Sequence, residues 1–93
     1  MACGYTRSEI EKIVVGVYRG VLNDPTLTKS SRFGIDNEIP IDKFAKRLFV
    51  FPIKNSVDRI PDCIVKKLTP SKCEKAKIIN DVIDALCAEF KIT

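Results

Sequence analysis

A chain of 93 residues, 10.4 kDa, formal charge +4 and mean hydropathy +0.00 has room for one modest core. That excludes a two-domain enzyme, and with no apolar run approaching roughly 18 residues it excludes a membrane span. The chain also has no histidine and no tryptophan, which removes the commonest general base, the commonest metal ligand and the usual pH switch.

The N-terminal helix is the clearest element. Ser8 followed by Glu11 forms a capping box. Ile10, Ile13, Val14, Val17, Tyr18, Val21 and Leu22 then recur at three-four spacing, one apolar stripe with a helical period. Asn23-Asp24-Pro25 ends it, because proline disfavours helix at the residue before it. Residues 25–38 carry no helical period and form a long loop with apolar pegs at Leu27, Phe33 and Ile35, of which Leu27 and Phe33 plug the end of the bundle.

A second helix is predicted from Pro40, with Ile41, Phe44, Ala45, Leu48 and Phe49 as its buried face and Pro52 stopping it after Phe51. A short third helix is predicted within 56–68, capped by Ser56 or opened by Pro61, with Ile60, Ile64, Val65 and Leu68 inward. The last helix is long. Thr69 caps it, Pro70 sits in its first turn, and Cys73, Ala76, Ile79, Val82, Ile83, Leu86, Cys87 and Phe90 share one face. Leu48–Ile53 is too short and too soon met by proline to read as a strand. The fold class is therefore all-α: residues 1–93 as a single domain, a small four-helix bundle with a long first loop and a short third helix.

The cysteines Cys3, Cys63, Cys73 and Cys87 are 60, 10 and 14 residues apart. No C-x-x-C pair occurs, and a zinc site without histidine needs all four thiolates from scattered positions, so no metal site is predicted. On one helix Cys73 and Cys87 stand about 21 Å apart and do not bridge. Glu9, Glu11 and Lys12 interrupt the apolar stretch of the first twenty residues, so no signal peptide is read. Reduced thiols and a cytoplasmic location are expected.

Charge is unevenly spread. Residues 43–77 hold ten basic and three acidic side chains, a net +7, between a first segment at −1 and a last at −2. The basic block is Lys43, Lys46, Arg47, Lys54, Arg59, Lys66, Lys67, Lys72, Lys75 and Lys77. Such a block attracts an acidic partner surface or a polyanion. Base-specific contacts favour arginine and exposed aromatics. Here lysine dominates, and Phe44, Phe49 and Phe51 fall mostly on the predicted core face.

Catalysis is not expected. Gly4, Gly16, Gly20 and Gly34 form no phosphate-binding motif, a cysteine nucleophile would lack its usual base, and Asp58 with Asp62 and Asp81 with Asp84 read as solvated helix-face charges. The function predicted is a non-enzymatic binding or adaptor module. Its basic middle segment contacts an acidic protein partner, with Lys43, Lys46, Arg47, Lys66 and Lys67 as the charged contributors. A nucleic-acid or anionic-surface binder is the alternative from charge alone.

The element order is also similar to that of the acyl- and peptidyl-carrier-protein bundle. Leu27-Thr28 through Phe33-Gly34-Ile35-Asp36 resembles the loop running into that family's Asp-Ser-Leu motif. Ile60-Pro61-Asp62 resembles the segment before its third helix, and Asn80-Asp81-Val82-Ile83-Asp84-Ala85-Leu86 its last helix. The resemblance implies a phosphopantetheine arm on a serine directly after an aspartate, at the start of the second helix. Asp36 is followed by Asn37. A second frame sets Asn55-Ser56-Val57-Asp58 in that role, with Ser56 as the cofactor-binding residue. Outside this carrier-like alternative no cofactor is expected.

Overall fold

Two capping boxes overlap where the first helix begins, Thr6-Arg7-Ser8-Glu9 and Ser8-Glu9-Ile10-Glu11. In the computed structural model, which describes residues 5–57 and 68–90, the earlier box forms. Thr6 Oγ1 accepts from the Glu9 N–H at 3.2 Å, Glu9 Oε1 accepts from the Thr6 N–H at 3.0 Å, and α1 runs Arg7–Val21. The expected cap at Ser8 is corrected: Ser8 lies exposed in the first turn. The residue ahead of the cap explains the choice. The Tyr5 hydroxyl donates to the Val57 carbonyl at 3.2 Å, and the Tyr5 ring lies 6.3 Å from that of Phe90, which fixes where the chain enters the helix.

At the other end α1 stops in a Schellman turn. Asn23 takes the left-handed conformation with φ 51°, its N–H donating to Gly20 and the Asp24 N–H to Arg19. Pro25 follows this stop rather than causing it.

The long loop is strapped back onto α1. Arg19 Nε donates to the Leu27 carbonyl at 2.8 Å, and Lys29 reaches Glu11 at 3.3 Å. Leu27 and Phe33 are buried as expected, whereas Ile35 is 79% exposed at the loop's tip. The tip is tightened by Gly34, whose φ of 131° strains any L side chain and where an added Cβ would stand 2.9 Å from Asn37 Nδ2.

The predicted second helix is broken in two. Phe33 and Ile39 form a bridge, and Ile39 exchanges backbone hydrogen bonds with Arg32 and Gly34. That holds residue 39 extended, so Pro40 stays outside the helix and Asp42 caps it instead, Oδ1 accepting from the Ala45 N–H at 2.9 Å. α2 runs Lys43–Leu48 and α3 Val50–Val57. Pro52 does not end the helix. Its ring crowds the carbonyl of Leu48 and it has no N–H to bond there, so the break falls at Phe49 and Pro52 sits in the first turn of α3. Phe49 is buried, but Phe44 is 78% and Leu48 62% exposed, so the predicted inward face of this segment is corrected. Ser56 lies in the last turn of α3. Residues 58–67 of the predicted 56–68 helix, Pro61, Ile60, Ile64 and Val65 included, lie outside the described residues, and Leu68, predicted inward, is buried.

The predicted last helix is also broken. Thr69 and Pro70 start it as expected, Thr69 Oγ1 accepting from the Lys72 N–H at 3.3 Å. α4 runs Pro70–Lys75, Ala76 turns extended at ψ 134°, and α5 runs Ile79–Glu89. The cause is the long loop. The Phe33 N–H donates to the Lys77 carbonyl, Arg32 bridges Ile78, and the N–H groups of Ile79 and Asn80 donate to the Ser31 and Lys29 carbonyls. Asp81 Oδ2 accepts from the Lys77 and Ile78 N–H groups at 2.8 and 3.2 Å. All eight residues predicted for the inward face of 73–90 are buried nonetheless.

The described residues are thus all-α, with two isolated bridges and no strand. α1 packs on α5 and α3, and α2 packs on α4. Their shared core holds Ile10, Val14, Ile53, Val57, Ile79, Ile83 and Leu86 around Tyr18, whose ring stacks on Phe49 at 4.3 Å and tilts against Phe33 at 5.4 Å. Cys73 and Cys87 are free and buried, as predicted.

Thr6→Ala is expected to lower unfolding free energy by about 1 kcal/mol, whereas Ser8→Ala leaves it nearly unchanged. Urea denaturation of the two variants checks this. Equal losses would move the helix start back to Ser8.

Candidate acidic-partner interface

Of the cations predicted to meet a partner, the three described ones, Lys43, Lys46 and Arg47, do not gather as one group. Lys43 is the exposed first residue of α2. Arg47 turns towards α4 and pairs with Glu74 at 3.5 Å, tying the two helices together. Lys66 and Lys67 lie outside the described residues. Lys46 is the one that enters a shaped site. It is half-buried, with Nζ 5.1 Å from the centre of the Phe33 ring, within cation–π range. Phe33 is itself fixed by Tyr18, so the position of this ammonium is set from the core.

Around Lys46 the loop and the α4–α5 break bring further cations. Arg32, Lys46, Lys75 and Lys77 line a recess of about 350 Å³ whose floor is Phe33, Ala76 and Ile78 and whose rim includes Asn37. The Arg32–Ile78 bridge carries Arg32 to this place. Arg32 is held by Glu38, Nε to Oε2 at 3.2 Å, whereas Lys46, Lys75 and Lys77 form no ion pair with another described residue. Burial pulls the pKa of Lys46 down, and the charges of Glu74 and Asp81 partly restore it. The recess is a concentrated positive field with an apolar floor, suited to a carboxylate on a side chain that has apolar surface of its own.

Reasoning from sequence missed Arg32 as a member of this group. It counted Lys75 and Lys77 in the basic block without making them contacts. No local signal marks Arg32, because its place is set by pairing with a residue 46 positions away. Lys75 and Lys77 come to one recess because Ala76 between them is extended.

Other chemistry-bearing groups are placed differently. Ser56 is half-buried and lines a separate shallow recess with Lys12, Ile13, Gly16 and Val17 of α1. Burial pushes the Cys73 thiol up to about 11 and also raises that of Cys87, which disfavours both thiolates. Among the described residues no group of three or more Cys, Asp or Glu side chains is placed to hold a metal ion. Nor is any described helix long and apolar enough to cross a membrane. No protein-family model, curated protein or solved structure matches the chain significantly.

The Cys73 shift has a definite sign for stability. Its folded pKa stands above the ordinary 9.0, so the neutral thiol's contribution is fully present below pH 9.0 and lost as pH rises through about 11. Burial raises the Tyr18 hydroxyl in the same direction. The urea midpoint is expected to fall across that alkaline window, and to fall less in Cys73→Ala. An equal fall in both proteins would remove Cys73 as a cause.

Proposed function

We propose that the chain is a non-enzymatic binding module, a small helical bundle that contacts an acidic protein partner through the face built by α2, α4 and the long loop. The observation that carries this reading is the convergence of Arg32, Lys46, Lys75 and Lys77 on one recess, where only Arg32 has a carboxylate partner among the described residues. α2 and α4 together hold Lys43, Lys46, Arg47, Lys72 and Lys75 against the single carboxylate Glu74, so the surrounding surface extends the same field. Burial of Cys73 and Cys87 and the lack of histidine support binding rather than nucleophilic chemistry. Unbridged buried thiols suit a reducing compartment such as the cytoplasm.

Fluorescence anisotropy with a labelled Glu/Asp-rich peptide tests the reading. Binding is expected at low salt and is expected to weaken steeply as salt rises. Replacing Lys46, Lys75 and Lys77 together by Gln is expected to weaken it roughly tenfold or more. Tighter binding of a single-stranded oligonucleotide of equal charge would replace the acidic protein by nucleic acid. Binding indifferent to salt would remove the basic face from the interaction.

A further inference from the structure

The cations are not the only unusual feature of the α2–α3 surface. Phe44, Leu48 and Phe51 are 78%, 62% and 60% exposed, and Val21 at the end of α1 is 58% exposed. Scattered exposed apolar residues are ordinary, but Phe44, Leu48 and Phe51 follow one another at i, i+4 and i+7 in the sequence, two on α2 and one at the start of α3. Beside them lies a groove of about 250 Å³ between the C-terminal end of α1 and the α2–α3 pair. Every residue lining it is apolar: Val21, Leu22, Ile41, Ala45, Leu48, Phe49 and Pro52. It exists because Pro52 breaks the helix at Phe49, so that α2 leans on α4 while α3 leans on α1.

Charge indicates what this groove would hold. The stretch 43–57 carries Lys43, Lys46, Arg47 and Lys54 and no acidic residue. Lys43 and Arg47 stand one residue before Phe44 and Leu48 in α2, Arg47 being paired with Glu74, and Lys54 lies in the next helix with Phe51. An apolar strip beside a surface dominated by cations is complementary to a helix with apolar residues on one face and carboxylates on the next. The walls argue against a nucleic-acid strand. They are largely aliphatic, and the polar edges of a base would be buried there without hydrogen-bond partners. They also argue against a flat lipid surface, because a recess accepts one projecting side chain.

We propose that this groove receives an acidic amphipathic helix of the partner protein. A large apolar side chain of that helix seats between Leu22, Ile41, Ala45, Phe49 and Pro52, and its carboxylates meet Lys43 and Lys54. The inference rests on the acidic-partner reading and adds the form of the partner's element and its anchor. Leu48, half-open at the edge of the groove, is its specificity residue.

The test uses the full chain and two labelled peptides of identical Leu, Phe and Glu composition, one patterned as an amphipathic helix and the other scrambled to destroy the apolar face. The patterned peptide is expected to bind at least roughly tenfold more tightly. Leu48→Ser, at an exposed position where folding is checked by circular dichroism, is expected to abolish that advantage and leave binding of the scrambled peptide unchanged. Val21→Ser, at the other exposed position lining the groove, serves as the second variant should Leu48→Ser fail to fold. Equal binding of the two peptides, unchanged by either variant, overturns the groove proposal while the basic-face reading stands. Failure of both peptides to bind at low salt overturns both. Preferential capture of phosphatidylserine vesicles or of a single-stranded oligonucleotide, lost in Leu48→Ser, overturns the assignment to a protein helix. So does self-association of the chain that is lost in the same variant.

Discussion

The backbone pairing between residues 29–33 of the long loop and the approach to α5 organises this protein. Three main-chain groups at the start of α5 are satisfied by loop partners: the Lys77 carbonyl by the Phe33 N–H, and the Ile79 and Asn80 N–H groups by the Ser31 and Lys29 carbonyls. Helix starts leave such donors without intrahelical partners. Here a distant segment supplies the acceptors, aided by the Asp81 carboxylate. The same pairing seats Phe33 between Tyr18 and Lys46, breaks the last helix at Ala76, and delivers Arg32 to the recess shared with Lys75 and Lys77. The cationic recess is therefore a product of the core's construction. Its floor ring is part of the aromatic stack that fills the centre of the molecule.

A second constraint, the missing N–H of Pro52, shapes the opposite side of α2. An unbroken helix over 43–57 would present a single face to the core. Divided at Phe49, the segment serves two neighbours, α4 for the first half and α1 for the second. Phe49 and Val50 at the joint stay buried, while Phe44, Leu48 and Phe51 are left facing out. The two halves of the proposed interface thus share a helix but have separate origins. One is cationic and made by the loop and α4; the other is apolar and made by the break.

What was legible in the sequence were the features set by near neighbours. The apolar stripe of α1, the cap at Thr69 with Pro70 behind it, the buried face of 73–90 and the unbridged Cys73 and Cys87 all follow from periodicity or from residues within a turn of one another. Misread features depend on distant partners. Thr6 and Ser8 offer equivalent boxes, and only the hold of Tyr5 on Val57 and Phe90 chooses between them. Phe44 and Leu48 have the spacing of a core face, yet with the helix divided nothing covers them. Within the candidate site, Lys43, Lys46 and Arg47 were visible as charges. Their separate fates, exposed, seated on Phe33 and paired with Glu74, are set by the loop and by α4.

The packing of α1 against α5 has a consequence for how the chain acquires its structure. Arg7 reaches Asn80 and Asp84, partners 73 and 77 positions away, and the buried stripe of Ile10, Val14 and Tyr18 is covered by α3, α5 and the loop. This closure joins elements far apart in the chain, and such non-local closures slow folding. During synthesis α1 emerges long before the surface that covers it. Its apolar stripe must stay open to solvent or to chaperones until nearly the whole chain has been made.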